Sequence, residues 1–375
     1  MRCRKILIFI ALSLLTSVSL RAAEIRIGLF YGTEIESIVF STVEGEYMLE
    51  GNGRQVAVIR RGAMFHIERT GSGLAVHDTT QSYGIFSVLE FKGVSNVNVF
   101  QVKPVFPPLP SKESEDNLAV SVFNDVLRLI NRLDLEKYIP GTVEAEGGSG
   151  ALPEYYKAQA VITRTFALKN FHRHAHEGFN LCDGVHCQAF NGKSRMNKQI
   201  YEATVSTENA ILVNKAGEPV VTAYHANCGG ITGSASVEWS KDLPYLVPVT
   251  DPFCYRSVHR NWSKDIPTAT WNNYLAKKGY TGESAKLCTG TESGRQKYLC
   301  EENNKLLLTD IREDMKLKSS YFHLEPGNGT VVIRGHGYGH GLGMCQEGAM
   351  EMARVGYTYV DILMFYFRNL TLKKT

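Results

Sequence analysis

Residues 335–346 read GHGYGHGLGMCQ, and chemistry is easiest to site here. Glycine lets a backbone turn through positive φ or run close to another surface, and in this stretch it alternates with two imidazoles and a phenol. The pattern suits neither an ordinary helix nor a strand; it reads as a loop that walls a site. A second candidate is residues 138–148, YIPGTVEAEGG, where Glu144 and Glu146 stand beside two glycines. A carboxylate in that setting is a candidate general acid, because glycine backbone lets a ligand come close. Solvated surface glutamates give the same local pattern with no chemistry attached. A third candidate joins two short segments, LCDGVHCQ at 181–188 and AYHANCGG at 223–230. Zinc takes four nitrogen or sulfur ligands in a tetrahedron, often two from each of two segments. Cys182, Cys187, His225 and Cys228 would fill it, with His186 as a substitute; a disulfide among these cysteines is the alternative in an oxidising compartment. Arg164 either edges a pocket that holds a carboxylate or sugar oxygen, or sits in a structural ion pair.

These residues need elements to hold them. Residues 330–334 form a strand that delivers the glycine-histidine loop, and Ala349, Met350, Met352 and Ala353 continue from it at helical spacing. Pro153 opens the clearest helix, expected to run to about His176 with Gly178 as its stop. Its buried stripe is Ala158, Val161, Ile162, Thr165 and Leu168, and Lys157, Ala160, Arg164 and Ala167 form the adjacent row. Residues 24–110 read as β structure, with strands near 25–30, 56–59 and 64–67 and a turn at Asn52-Gly53. A polar segment rich in proline, from Pro104 to Asp116, marks a boundary near residue 110. Residues 118–135 return to strands. Thr358 starts the last helix in a pattern like a capping box, with Asp361 three residues on. The expected fold class is α+β: a β-rich domain at 24–110, then a mixed core at 111–375 with an insertion near 262–308.

Composition bounds the function. Lys and Arg total 41 against 38 Asp and Glu, and a net charge of +3 gives no reason to expect a nucleic-acid partner. Residues 1–23 carry early positive charge, a short apolar run and small residues at the end, as in a signal peptide or an uncleaved signal anchor. The expected address is therefore the periplasm or cell envelope. Seven cysteines lie beyond that segment, an odd count that leaves at least one thiol unpaired or bound to metal. Cys288 and Cys300 could close a loop within the insertion.

Four stretches, in this order, together resemble the SpoIID family, which is named for stage II sporulation protein D and includes the amidase enhancers. They are DLEKYIPGTVEAE at 134–146, KAQAVITRTFAL at 157–168, YHANCGGIT at 224–232 with DLPYL at 242–246, and residues 335–363. The resemblance implies a lytic transglycosylase that cuts peptidoglycan glycan strands between N-acetylmuramic acid and N-acetylglucosamine. The preferred strands have lost their stem peptides to an amidase, and cutting leaves 1,6-anhydro ends. It implies Glu146 as the catalytic acid, although residues 147–153, GGSGALP, replace the family's short Met-Pro link and keep Glu144 in view. A structural zinc is implied at the Cys/His pairs, with no organic cofactor.

One carboxyl suffices for such chemistry. It protonates the leaving oxygen, and the muramic C6 hydroxyl then replaces the water that a hydrolase would activate with a second carboxylate. Tyr338, His340 and Gln346 are expected to bind sugar hydroxyls and acetamido groups, with Lys157 and Arg164 near the lactyl carboxylate. Two other readings compete: a non-catalytic glycan-binding activator of a cell-wall amidase, and a zinc hydrolase. The latter usually keeps an open metal position among three protein ligands, whereas several thiolates favour a closed structural site.

Overall fold

Alternating burial along Ser37–Glu44 and Gly73–His77 is what two facing sheets require, each strand sending every second side chain inward. The computed structural model describes residues 23–194, 197–280, 294–299 and 306–374. Residues 1–22, with the expected signal segment, and Cys288 and Cys300 lie outside the described residues.

The first sheet orders seven strands as Leu181–Cys182, Glu24–Leu29, Val126–Asp134, Asn117–Phe123, Val88–Gly93, Tyr47–Gly51 and Arg54–Ile59. The second orders six as Lys112–Glu115, Val99–Phe106, Ser37–Glu44, Met64–Thr70, Gly73–His77 and Ser82–Phe86. Phe40 from the second stacks on Phe91 of the first, ring centres 4.0 Å apart, and meets Tyr47 edge-on. Asn52 and Gly53 both take positive φ, the twist a two-residue hairpin needs.

The boundary expected near residue 110 does not separate two folds. Glu24–Leu29 pairs antiparallel with Val126–Asp134 on one side and parallel with Leu181–Cys182 on the other. The first sheet is therefore built from both sides of the proline-rich segment.

The helices are α1 (Leu135–Gly147), α2 (Pro153–Lys169), α3 (Lys198–Ser206), α4 (Ala235–Glu238), α5 (Thr268–Lys277), α6 (Leu308–Asp314), α7 (Gln346–Arg354) and α8 (Tyr359–Tyr366). The start of α1 lies where the end of a strand is expected from sequence. Asp134 caps it by accepting from the Glu136 N–H at 2.7 Å, and Leu135, Tyr138, Ile139 and Val143 face the core. Helix α2 stops well before His176. Asn170 ends it, its backbone N–H and side-chain amide both donating to the Phe166 carbonyl at 2.9 Å. Thr358 caps α8 in the expected capping box with Asp361.

Three small sheets complete the fold among the described residues. Ala210–Val213 pairs with Thr371–Lys374, and Tyr224–His225 runs parallel to Met344–Cys345. Thr330–His336 lies between Asn261–Pro267 and Phe322–Pro326. With α5 and α6, that last sheet encloses a core of its own, including Trp271, Leu275, Ile311 and Ile333.

Candidate active site and metal-ligating clusters

The end of α1, the end of α2, the strand Tyr224–His225 and the loop at His340 meet around a groove of about 630 Å³. Glu146 lies in its wall, with Phe166, Tyr224, Trp239 and His340. Glu144 turns the other way and lines a different hollow, beside Lys112 and Lys193. Glu146 is the one carboxylate among the described residues lining the groove.

Its surroundings hold it in place. The Glu146 Oε1 accepts the Ala189 N–H at 2.5 Å, and Gln346 Nε2 donates to the Glu146 backbone carbonyl at 3.0 Å. The Tyr224 hydroxyl hydrogen-bonds the carboxyl. Behind it, Gln188 Nε2 donates to the Tyr224 oxygen at 3.3 Å, and the Tyr138 hydroxyl donates to Gln188 Oε1 at 3.4 Å. The chain of donors therefore points from the core toward Glu146. Burial raises the Glu146 pKa above the usual carboxylate value, against the lowering effect of the Ala189 and Tyr224 hydrogen bonds.

His340 is held neutral. Crowding around the ring, then the Arg312 and Arg295 charges, push its pKa down to about 4. Its Nδ1 accepts the Leu342 N–H at 3.0 Å, which leaves the proton on Nε2. Trp239 lies 5.5 Å from it, centre to centre, and His225 lies 5.7 Å away behind it. His225 donates from Nδ1 to the Leu342 carbonyl at 3.0 Å.

The glycines make this loop possible. Gly343 has φ of 67°, and a Cβ there would lie 2.1 Å from the Ala223 carbonyl oxygen. Gly337 has φ of 75°, and its Cβ would meet the Asn227 oxygen at 2.5 Å. Both approaches fasten the loop onto the segment that carries Tyr224 and His225.

Four residues expected at the substrate stand outside the groove lining, Gln346 among them, since its amide is spent on the Glu146 backbone carbonyl. Arg164 is buried and bound through two 2.7 Å contacts to Glu136, with a third bond to the Ala210 carbonyl; it ties α1 to α2. Lys157 pairs with Glu154 at 2.5 Å, one turn away on the same helix. Tyr338 is exposed against His259, and its backbone pairs with Asn227. Among the described residues, the cations lining the groove are Arg173 and Lys241, both exposed, and no local sequence pattern marks either. Tyr224, Gln188 and Trp239 were also missed as site residues, although YHANC had been singled out for its histidine and cysteine.

The expected four-ligand set does not assemble. Cys182 and Cys187 join His174 and His186, while Cys228 joins Asp251, Cys254 and Cys345; His225 belongs to neither cluster. In the first cluster the Cys187 sulfur lies 3.4 Å from His174 Nε2, and both sulfurs lie within 3.8 Å of His186 Nδ1. His174 Nδ1 is 2.6 Å from Glu177 Oε1, the carboxylate–histidine arrangement that frees Nε2 for a metal. Two thiols and two imidazoles with that support fit tetrahedral zinc. The Asp183 carboxylate accepts from the Phe30 and Tyr31 N–H groups and from Lys112, which fixes the segment carrying Cys182.

The family model for SpoIID, stage II sporulation protein, matches residues 124–214, which carry α1, α2, α3 and the first cluster. An uncharacterized protein of Brachyspira hyodysenteriae is 31% identical over 254 residues, 66% of this chain and 68% of that one. Stage II sporulation protein D of Bacillus subtilis is 28% identical over 268 residues, 67% of this chain and 78% of its own. The amidase enhancer of Bacillus subtilis is 25% identical over 296 residues, 64% of this chain and 40% of its own. The chain belongs to the stage II sporulation protein D family. Among the described residues, no helix is long and apolar enough to cross a membrane.

Proposed function

We propose that this chain is an exported, cell-wall-acting lytic transglycosylase that cleaves the bond between N-acetylmuramic acid and N-acetylglucosamine in strands stripped of stem peptides. The observation that carries the reading is the lone carboxylate of the groove, Glu146, half-buried among aromatic and neutral polar groups. Hydrolases of both stereochemical outcomes use a carboxylate pair, whereas intramolecular attack needs one. The raised pKa keeps Glu146 in its acid form to higher pH. It gives its proton to the glycosidic oxygen as that bond breaks. The resulting carboxylate then takes the proton of the muramic C6 hydroxyl, whose oxygen closes onto C1 and forms the 1,6-anhydro ring. The Tyr224 hydroxyl and the Ala189 N–H steady the carboxylate between the two transfers.

Trp239 offers a sugar-stacking face, and His340, as a neutral imidazole, is suited to hydroxyls rather than anions. Arg173 and Lys241 at the rim could pair with the lactyl carboxylate, which is free only when the stem peptide is gone. Zinc at His174, Cys182, His186 and Cys187 would be structural, because four protein ligands close its coordination. Those ligands would brace Gln188 and Ala189, the neighbours that hold Tyr224 and Glu146. The similarity to an amidase enhancer supports a functional link with a cell-wall amidase, the enzyme that would prepare such strands.

The test is mass spectrometry of products from peptide-free strands, from intact peptidoglycan, and with Glu146→Gln. Anhydro-ended fragments from the peptide-free strands are expected, falling about 10²- to 10⁴-fold in rate with the variant, the usual share of general acid–base catalysis. Reducing ends would make the chain a hydrolase. Strands bound but uncut would make it an amidase activator.

A further inference from the structure

The second cluster is made of residues outside the groove lining and has no part in the chemistry proposed above. Cys228, Asp251, Cys254 and Cys345 are all buried, and their ligand atoms lie within 4.8 Å of one another. The Cys228 sulfur is 3.4 Å from that of Cys254 and 3.2 Å from Asp251 Oδ2. Zinc–sulfur bonds of about 2.3 Å in a tetrahedron put sulfurs about 3.8 Å apart, close to this spacing.

Backbone donors point at the sulfurs, as they do at thiolate ligands. The Cys228 and Gly348 N–H groups donate to the Cys345 sulfur at 3.3 and 3.4 Å, and the Gly230 N–H donates to Cys228 at 3.4 Å. Cys345 also stands at the N-terminus of α7, where the helix dipole favours negative charge. The carboxylate is supported in the same way: the Tyr366 hydroxyl donates to Asp251 Oδ2 at 2.9 Å and the Phe253 N–H to Oδ1 at 2.8 Å. Such outer partners orient and tune metal ligands.

We propose that Cys228, Cys254, Cys345 and Asp251 form a second zinc centre, separate from the one at His174, Cys182, His186 and Cys187. A disulfide between Cys228 and Cys254 would use two of the four groups and leave Cys345 and Asp251 outside it; a metal serves all four. The centre clamps three loops together, those at 227–230, 251–254 and 343–345. Cys345 directly precedes Gln346, whose amide holds the Glu146 carbonyl, so the clamp anchors the residue that secures the end of α1.

The test is metal content of the purified full-length chain, loaded with excess zinc, desalted, and measured by plasma mass spectrometry. Two zinc ions per chain are expected. Cys254→Ala should leave one, and His174→Ala combined with Cys182→Ala should leave the other. In that double variant, cobalt should give an intense thiolate-to-cobalt charge-transfer band that Cys254→Ala then abolishes. Should the variants fail to fold, zinc-edge absorption on the wild-type chain decides: five sulfurs shared by two zinc ions against two sulfurs on one. A wild-type chain that holds a single zinc, unchanged by Cys254→Ala, or a Cys228–Cys254 bridge in an unreduced peptide map, would overturn the proposal.

Discussion

At the residue scale the balance around Glu146 decides when the site can work. Burial favours the neutral acid, while the Ala189 and Tyr224 donors favour the anion, and burial is the larger effect. A general acid acts below its pKa, so turnover should be present below the raised value and be lost as pH rises through it. Tyr224→Phe removes a donor to the anion and keeps the ring in the wall. The Glu146 pKa should then climb further, and the alkaline limb of the pH–rate profile should move to higher pH. The maximal rate should fall about tenfold, in keeping with a hydrogen bond to a charged group worth about 1.5 kcal/mol. A profile whose alkaline limb stays in place, or moves to lower pH, would detach Tyr224 from the acid.

At the scale of elements the site depends on how closely the glycine loop lies against Tyr224–His225. Gly343→Ala combines a positive φ with a Cβ 2.1 Å from the Ala223 oxygen, so backbone must move. Gly356→Ala is the control, with φ of 98° and open space around its Cβ. Unfavourable φ alone costs on the order of 1–3 kcal/mol. Urea denaturation should therefore show the larger loss for Gly343→Ala, and glycan turnover should fall with that variant only. Equal losses in both would mean that the close approach contributes nothing.

The same elements show what a sequence can and cannot disclose. The loop at 335–346, the strand before it and the cap at Thr358 were legible because each is signalled by neighbouring residues. Helix α1 was hidden because Pro140 and Gly141 sit inside a spacing, Leu135, Tyr138, Ile139 and Val143, that is otherwise helical. His174 was hidden for the opposite reason, since helical spacing seemed to run past it while the Asn170 cap ends α2 at Lys169. The ligand sets were mixed because pairing Cys182 and Cys187 with His225 and Cys228 used closeness in sequence and type alone. The partners that complete each cluster, His174 for one and Asp251, Cys254 and Cys345 for the other, are chosen by tertiary packing. Arg164 carried two readings, and only the position of Glu136 on α1 distinguishes them.

At the scale of the whole molecule the N-terminal sheets and the groove are one structure: Val88–Gly93 pairs with Asn117–Phe123, Val99–Phe106 with Lys112–Glu115, and the first strand reaches furthest toward the site. Glu24–Leu29 fills the slot between Val126–Asp134 and Leu181–Cys182, with Ile25 and Ile27 fully buried. Val126–Asp134 leads directly into α1 and so to Glu146, while Leu181–Cys182 carries a ligand of the first cluster. Removing the strand would expose two unpaired edges, open the core beneath Ile25 and Ile27, and free the segment that Phe30 and Tyr31 hold through Asp183. A truncation to residues 111–374 should therefore lack a cooperative thermal transition and bind zinc weakly at His174, Cys182, His186 and Cys187, as calorimetry and metal titration would record. Adding residues 24–110 as a separate chain should restore both, because the missing strand has both neighbours waiting for it. A truncation that unfolds cooperatively and cuts glycan at the full-length rate would instead make residues 24–110 an independent module, with the strand no more than an edge it lends.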